Sequence, residues 1–335
     1  MNFTLLTGGL GYIGSHIAVD LINNEHNVVI VDNLSNSSIE TLDKIKSISS
    51  KFNKNIIFFN VDITNYEDVN NIFESYKINS VIHLAALKSI PESFNYPDLY
   101  YKNNVVGLKN IFSLSDKHNV RSFIFSSSAA IYDFSNKYPV NESGTLGYSN
   151  PYAKTKLQCE EFLQENHKNN NFSVGILRYF NPAGNIKSGL IGDFIKKESS
   201  NLFPMIFKSI LNNDEILIFG SDYNTFDGSP IRDFIHVVDL SNAHVSTMTF
   251  LENTNGIHVF NVGTGSGFTV KQILDIFADV NSVKINYKFS ERRLGDIGIS
   301  FADTSKIYSQ IGWRATKSIA DICKDAFKFF KENYL

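Results

Sequence analysis

The chain has 335 residues, of which 43% are hydrophobic and 19% charged, and its formal net charge at pH 7 is −3. This composition is typical of an ordinary globular protein, and the length allows one large core or two fused cores. The slightly acidic balance excludes a globally basic surface for nucleic acid, and the apolar runs are shorter than the ~18 residues that a membrane span needs.

In the first half, short continuous apolar runs alternate with longer amphipathic stretches. The predicted strands are Phe3–Leu6, Val28–Val31, Ile56–Asn60, Ser80–Leu84, Ser122–Ser126 and Val174–Leu177. The predicted helices are Ser15–Asn24, Asp68–Tyr76, Leu99–His118 and Tyr152–Lys168. Continuous apolar runs are typical of parallel strands covered on both faces. This order predicts an α/β fold, with a Rossmann-type doubly wound parallel sheet over residues 1–180.

After Asn181 the composition changes, because Gly, Pro, Asn and Asp cluster in NPAGNIKSG, GSDYNTFDGSP and GTGSG. We expect sparse helices and long binding loops there. This pattern predicts a smaller α+β substrate-binding domain over residues 181–335, with part of 232–262 returning to the first domain. The ligand is expected in the cleft between the two.

Glycines follow the first predicted strand in LLTGGLGYIGSH. Gly8, Gly11 and Gly14 satisfy G-x-x-G-x-x-G, and a strand precedes them while a helix follows. Such glycines permit a tight turn and close backbone approach, and the helix N-terminus faces a pyrophosphate. Asp32 ends the next strand, eighteen residues after Gly14, where a carboxylate suits a ribose 2′-hydroxyl and repels a 2′-phosphate. The motif therefore predicts NAD rather than NADP.

The third predicted strand is followed by Asp62 and Ile63, which are positioned to contact an adenine. An alternative that does not exclude this contact is an ordinary helix cap by Asp62 or Thr64.

The stretch NPYAKTK places Tyr152 and Lys156 one helical turn apart on a shared face, whereas Lys154 points to solvent. A phenol titrates near 10, and a nearby ammonium together with an oxidised nicotinamide is expected to lower that pKa toward ~7, which suits a general base. Ser128, at the end of the FIFSSS strand, is predicted to relay the proton of a substrate hydroxyl. A tyrosine–lysine pair alone is common on helix surfaces; its combination with the glycine motif favours catalysis.

Nearly the whole chain resembles the UDP-glucose (UDP-galactose) 4-epimerase family of the extended short-chain dehydrogenase/reductase superfamily. The resemblance is carried by LLTGGLGYIGSH, IVDNLSNS, VIHLAALKSIPES, YYKNNVVGL, FIFSSSAAIY, NPYAKTK, LRYFNPAG, SNLFP, LIFGSDYNTFDGSPIRDFIHVVDL and ERRLGD. It implies an NAD-dependent isomerase that interconverts UDP-Glc and UDP-Gal through a transient 4-keto sugar, which turns over in the site and takes the hydride back on its other face.

The resemblance also implies residue roles. The catalytic residues would be Tyr152, Lys156 and Ser128. The cofactor-binding residues would be Gly8, Gly11, Tyr12, Ile13, Gly14, Asp32, Asn33, Asn36, Ser37, Asp62, Ile63, Leu84, Ala85, Ala86, Lys88, Asn103, Ser128, Tyr152, Lys156 and Phe180. The substrate-binding residues would be Lys88, Ser128, Tyr152, Asn181, Asn201, Leu202, Leu217, Phe219, Arg232, Arg293, Asp296 and Ser300. Arginines are suited to a diphosphate, although a surface salt bridge is the ordinary role of each one alone.

Ser300 falls where family members restricted to unacetylated sugars carry a bulky tyrosine, and where those that accept N-acetylated sugars carry a small residue. A serine there predicts activity on UDP-GlcNAc and UDP-GalNAc as well.

Other functions on this fold remain open to different degrees. A 4,6-dehydratase needs an acid and a base where this chain has Ser128-Ala129-Ala130, which argues against elimination. A UDP-sugar decarboxylase or a reductase is the main alternative, and a non-catalytic NAD-binding interaction protein is disfavoured by the intact Tyr152, Lys156 and Ser128.

The expected partners are a UDP-sugar substrate and a second copy of the chain, with no nucleic acid and no membrane. The helices Leu99–His118 and Tyr152–Lys168 are those through which superfamily members form a homodimer, although core packing explains their apolar pattern equally well. The N-terminal MNFTLLTGG has no basic region, so we expect no secretory signal. The cysteines, Cys159 and Cys323, lack the spacing of metal ligands, so we expect no metal site and a cytoplasmic location.

Overall fold

The computed structural model describes residues 1–167, 172–195, 201–293 and 296–335. The strands are β1 Phe3–Thr7, β2 Val28–Val31, β3 Ile56–Phe59, β4 Ile78–His83, β5 Ser122–Ser128, β6 Ser173–Tyr179, β7 Asn181–Ala183, β8 Ile216–Phe219, β9 Ile231–Arg232, β10 Phe234–His236, β11 Ile257–Val262, β12 Phe268–Thr269, β13 Tyr287–Ser290 and β14 Ile299–Ser300. The helices are α1 Tyr12–Asn23, α2 Glu40–Ile48, α3 Tyr66–Ser75, α4 Ile90–Asn95, α5 Pro97–Tyr100, α6 Gly107–Lys117, α7 Pro151–Asn166, α8 Leu202–Asn212, α9 Val237–Leu251, α10 Val270–Asn281, α11 Ser305–Ile311 and α12 Ile319–Tyr334.

Within these residues, seven parallel strands form one sheet in the order β3-β2-β1-β4-β5-β6-β11. Helices cover both faces. Ile17 of α1 and Leu240 of α9 lie in the core on one side, and Phe73 of α3, Leu108 of α6 and Leu163 of α7 lie in the core on the other. The prediction of a doubly wound α/β fold is confirmed. The strand order reverses between β1 and β4, and a crevice for a ligand forms at such a point beyond the carboxyl ends of the strands.

The second half differs from the expectation of sparse helices, which is wrong. Helices α8 to α12 lie there, and α10 and α12 begin with capping boxes at Thr269 and Ser318. The Gly- and Asn-rich segments connect these helices instead of replacing them. Phe207 of α8 and Phe330 of α12 stack with ring centroids 4.9 Å apart in a separate core. Helix α9 packs against α1, and β11 pairs with β6, so this part of the chain belongs to the large sheet.

The predicted helix Leu99–His118 is interrupted. A π-helical segment, Tyr101–Val106, joins α5 to α6. Gly107 then starts α6, and a Cβ at that position would lie 2.5 Å from the Ile63 side chain, so glycine lets α6 approach the segment that follows β3. Helix α7 is described as far as Asn166, and Lys168 lies outside the described residues. None of the described helices is both long and apolar enough to cross a membrane.

Candidate active site

The loop between β1 and α1 lies beside the end of β4. Gly8 has φ of +68°, and a Cβ there would come within 2.9 Å of the Ala85 backbone nitrogen. A Cβ on Gly14 would overlap the Gly8 carbonyl oxygen. Gly11 is the N-cap of α1, and no side chain among the described residues caps it, so the first-turn amides of Tyr12 and its neighbour can receive an anion. The loop therefore fits a pyrophosphate.

Asp32 is fixed at the end of β2 by three donors. Its Oδ2 accepts the Leu10 N–H at 3.0 Å, and its Oδ1 accepts the Leu34 N–H at 3.0 Å and the Ser37 hydroxyl at 2.7 Å. A carboxylate oxygen has two lone pairs, so Oδ2 can still accept a ribose hydroxyl. Ser37 therefore orients this carboxylate in addition to lining the same turn.

Asp62 forms a tight turn with Thr64, whose N–H and hydroxyl donate to Oδ1 at 2.8 and 2.7 Å. Burial raises the pKa of Asp62, but these bonds, a bond from Asn33 and the charge of Lys102 outweigh it and lower the pKa overall. The alternative of a helix cap by Asp62 or Thr64 is wrong, because the side chain of Asn65 caps α3. Ile63 is buried and Asn36 is exposed.

The segment after β4 is held by a residue that sequence reasoning missed. Asn104, in the π-helical segment, accepts the Leu87 N–H at 2.8 Å and donates to the Leu87 carbonyl and to the Thr155 hydroxyl, each at 3.0 Å. It thereby connects this segment to α7. Its neighbour Asn103, the predicted residue, donates to the Asn104 side chain at 3.0 Å. The other predicted residues of the segment are Leu84, Ala85 and Ala86, which are half-buried, and Lys88, which is exposed.

Helix α7 presents its first turn to the end of β5. Asn150 caps the helix, because its Oδ1 accepts the Ala153 N–H at 2.8 Å, and Pro151 occupies the first position. Tyr152 follows directly. Lys154 is exposed, as its position predicts.

Lys156 is buried and donates from Nζ to the Ser126 carbonyl at 2.7 Å. Burial lowers the pKa of Lys156 to about 8. Burial also raises the pKa of Tyr152, and the facing Ser128 hydroxyl only partly opposes this. The lowering of the phenol pKa that we expect also requires the positive charge of an oxidised nicotinamide, so it stays a prediction for the cofactor-bound protein.

A cluster of charges lies at β9 and in the segment that precedes β14. The Arg232 guanidinium, on β9, lies 4.0 Å from an Asp296 carboxylate oxygen. The Arg293 guanidinium lies 3.8 Å from the centre of the Phe219 ring. Burial lowers the pKa of both arginines, and Asp296 opposes this in each. The guanidinium groups of Arg232 and Arg293 both lie in the field of the single Asp296 carboxylate. Among the described residues, most of their N–H donors therefore remain free to bind an anionic diphosphate.

Leu217 and Phe219 lie two residues apart on β8, so their half-buried side chains share one face. Leu202 begins α8, and Asn201 before it donates to Asp193 at 2.8 Å. The Leu217 side chain and the Phe219 ring are suited to contact with a planar base.

The backbone of Asp233 joins two further predicted residues. Its carbonyl accepts the Asn181 N–H at 2.9 Å, and its N–H donates to the Ser300 carbonyl at 3.0 Å. Ser300 pairs with Arg232 across β14 and β9, and only 8% of its surface is exposed. Phe180 is buried directly before Asn181.

The profile of the NAD dependent epimerase/dehydratase family matches residues 4–263. The UDP-glucose 4-epimerase of Dictyostelium discoideum is 43% identical over 328 residues, which cover 97% of this chain and 94% of that protein. The UDP-glucose-4-epimerase structure from Stenotrophomonas maltophila, with bound NAD and formylated UDP-arabinopyranose, has a TM-score of 0.95 and 35% identity over 98% of both chains. The UDP-Glc/GlcNAc 4-epimerase of Campylobacter jejuni has a TM-score of 0.84 and 34% identity, over 99% of this chain and 100% of that one.

Proposed function

Because this chain belongs to the NAD dependent epimerase/dehydratase family, we propose that it is a UDP-hexose 4-epimerase that interconverts UDP-glucose and UDP-galactose with NAD. One observation carries the proposal. Tyr152 faces Ser128 and Lys156 bonds the Ser126 carbonyl at the sheet edge that also carries the glycine-rich loop, in a chain that aligns nearly end to end with a UDP-glucose 4-epimerase.

The residues present fit the cofactor. The amides that begin α1 would hold the pyrophosphate, Asp32 would accept ribose hydroxyls, and Lys156 would hold the nicotinamide ribose. NAD, when bound, supplies the hydride acceptor for carbon 4 of the sugar and later returns the hydride. A carboxylate at Asp32 repels a 2′-phosphate, so NADP is disfavoured.

The chain's own groups handle the proton and the nucleotide. The Tyr152 phenolate, which the positive charge of bound NAD would favour, takes the proton of the sugar 4-hydroxyl, directly or through Ser128, whose hydroxyl faces the phenol. Lys156, with a pKa of about 8, is protonated at neutral pH and adds positive charge beside the reacting groups. Arg232 and Arg293 bind the diphosphate and hold the nucleotide in place, so that only the sugar can rotate within the site.

The test is product analysis of the purified protein incubated with UDP-glucose and no added cofactor. UDP-galactose is expected, and Tyr152→Phe should lower kcat by about 10²–10⁴ because the proton acceptor is lost. Tyr308→Phe, which removes the same hydroxyl from an exposed position on α11, should leave kcat unchanged. In separate incubations, release of carbon dioxide from added UDP-glucuronate would instead identify a decarboxylase, and net consumption of added NADH would identify a reductase.

The proposal includes N-acetylated substrates. Ser300 is small, buried and paired with Arg232, and replacing it by tyrosine would fill the space beside the sugar's 2-position. Ser300→Tyr should lower kcat/KM for UDP-GlcNAc by at least about tenfold and that for UDP-glucose by less than about threefold. Ser309→Tyr, at an exposed position, is the control. If Ser300→Tyr changed neither activity, the steric account would fail.

The proposal also includes a homodimer. Leu99 and Tyr101 are 49% and 43% exposed beside α6 and α7, and Phe162 lines a surface hollow with Tyr101. A second copy would cover these side chains. Sedimentation of the protein at micromolar concentration should give a dimer, and Tyr101→Glu should weaken it. A wild-type monomer would refute this part.

Two further parts of the proposal concern location and domains. Cys159 and Cys323 are buried free thiols, which suits a reducing cytoplasm. We propose a cofactor domain of residues 1–180, to which part of 232–262 returns, and a mainly substrate-binding domain over 181–335 that contains the separate core of Phe207 and Phe330. Fractionation of the host cell and limited proteolysis between the two parts would test these points.

A further inference from the structure

The segment that contains Tyr138 runs beside β14. Val140 and Ala302 form a parallel bridge, and the Val140 N–H donates to the Phe301 carbonyl at 3.1 Å. The Tyr138 and Phe301 rings lie 6.0 Å apart. This arrangement brings the phenol of Tyr138 to the Ser300 hydroxyl, which it faces.

The phenol oxygen of Tyr138 is buried and, among the described residues, forms no hydrogen bond of ordinary geometry. Burial raises the pKa of Tyr138, whereas the Ser300 hydroxyl and the Arg232 guanidinium act in the opposite direction. A buried hydroxyl without a well-placed partner is unfavourable and needs an explanation. Its neighbours here are two residues of the proposed sugar and diphosphate site, so the phenol lies where the substrate would supply the partner.

We propose that Tyr138 is a specificity-determining residue whose phenol donates a hydrogen bond to the oxygen of the sugar's 2-substituent. That oxygen is the hydroxyl of UDP-glucose or the acetamide carbonyl of UDP-GlcNAc. The inference rests on the proposed function, because it requires a UDP-hexose whose 2-position lies beside Ser300. Tyrosine suits the role because a neutral phenol donates to either oxygen without adding charge near Arg232.

A packing role makes a different prediction. The Tyr138 ring contacts a small apolar cluster that includes Val140, Phe180 and Ala302. If the ring only fills space, removal of the hydroxyl alone should affect every substrate equally or not at all. The Tyr138→Phe variant separates the two roles, because it keeps the ring and removes only the donor.

The experiment compares UDP-glucose with UDP-2-deoxyglucose, which lacks the oxygen in question. In Tyr138→Phe, the wild-type preference for UDP-glucose, expressed as a ratio of kcat/KM values, should fall by about five- to tenfold. The kcat/KM for UDP-GlcNAc should fall by a similar factor. Tyr308→Phe is the matched control and should keep the wild-type ratio. Calorimetric Kd values for both nucleotides should show the same lost preference even if turnover is impaired.

Several outcomes are decisive. An unchanged ratio in Tyr138→Phe, with or without a lowered Tm, would overturn the inference and leave a packing role. A wild-type protein with no preference between the two nucleotides would overturn it as well. A wild-type protein that does not epimerise UDP-glucose would instead refute the proposed function. In a Ser300→Tyr background the hydroxyl of Tyr138 should no longer affect the ratio, since the added ring would separate it from the sugar.

Discussion

Glu160 is the central carboxylate of a buried network of hydrogen bonds and charges at the carboxyl end of β5, where Ser127 and Ser128 lie. Its carboxylate lies 2.6 Å from a guanidinium nitrogen of Arg178, and both side chains are almost fully buried. The Ser127 hydroxyl donates to the same carboxylate, and Arg178 donates to the Tyr132 phenol at 3.1 Å. Because Ser127 precedes Ser128, this network fixes the strand end that carries the proposed proton relay.

Replacement of Glu160 by Gln keeps the side-chain shape but leaves the Arg178 charge buried without its partner. Loss of one member of a buried ion pair costs about 3–5 kcal/mol, so the free energy of unfolding should fall by about that amount. Glu161→Gln, at the exposed neighbouring position, should change it by less than about 0.5 kcal/mol. Urea unfolding measures both. Equal losses in the two variants would contradict the buried-pair account.

Spacing along the chain predicted which face of α7 carries Tyr152 and Lys156, because helical periodicity is local. It did not predict their pKa values, since burial depends on β5 and on residues far along the chain. The same limit applies to Asn104, whose partners Leu87 and Thr155 lie 17 and 51 residues away.

Helix α7 is the element that brings the phenol to the sheet edge, and its start depends on one cap. Asn150→Ala removes the bond to the Ala153 N–H and should lower the free energy of unfolding by about 1 kcal/mol. The proposed kcat should fall as well, because Tyr152 lies in the first helical turn. Asn150→Asp keeps an oxygen cap and should preserve both quantities. A kcat that fell equally in the two variants would show that the amide itself, and not the cap, is required.

At the same scale, elements with regular patterns were easier to predict than interrupted ones. The strands of the first half lie within a few residues of their predicted positions because buried parallel strands are continuous apolar runs. Helices α8 and α10 were missed, since glycine- and asparagine-rich connections next to them dominated the local composition. The π-helical segment, which packs against α7, was also missed, because no local pattern records that packing.

Across the whole molecule, buried histidines connect distant parts of the chain in their neutral form. The His16 Nε2 accepts the Ile186 N–H at 3.1 Å, which joins α1 to the segment after β7. In His244 of α9, Nδ1 lies 2.9 Å from the Leu240 carbonyl and Nε2 lies 2.9 Å from the Ser126 hydroxyl. Burial lowers the pKa of each of these two rings to about 4.

Because of these histidines, we expect the free energy of unfolding to fall in mild acid. The folded pKa of about 4 lies below the ordinary value of about 6.5, so between these pH values the unfolded chain binds more protons than the folded one. The stabilisation is complete above pH 6.5 and is lost as pH falls toward 4, by about 3 kcal/mol for each ring.

His244→Gln, which cannot titrate, should therefore lose less stability than wild type between pH 7 and 4.5. His258→Gln, at a half-buried position, should follow the wild-type curve. Urea unfolding at a series of pH values measures the difference, and parallel curves for wild type and His244→Gln would show that this ring does not contribute to acid unfolding.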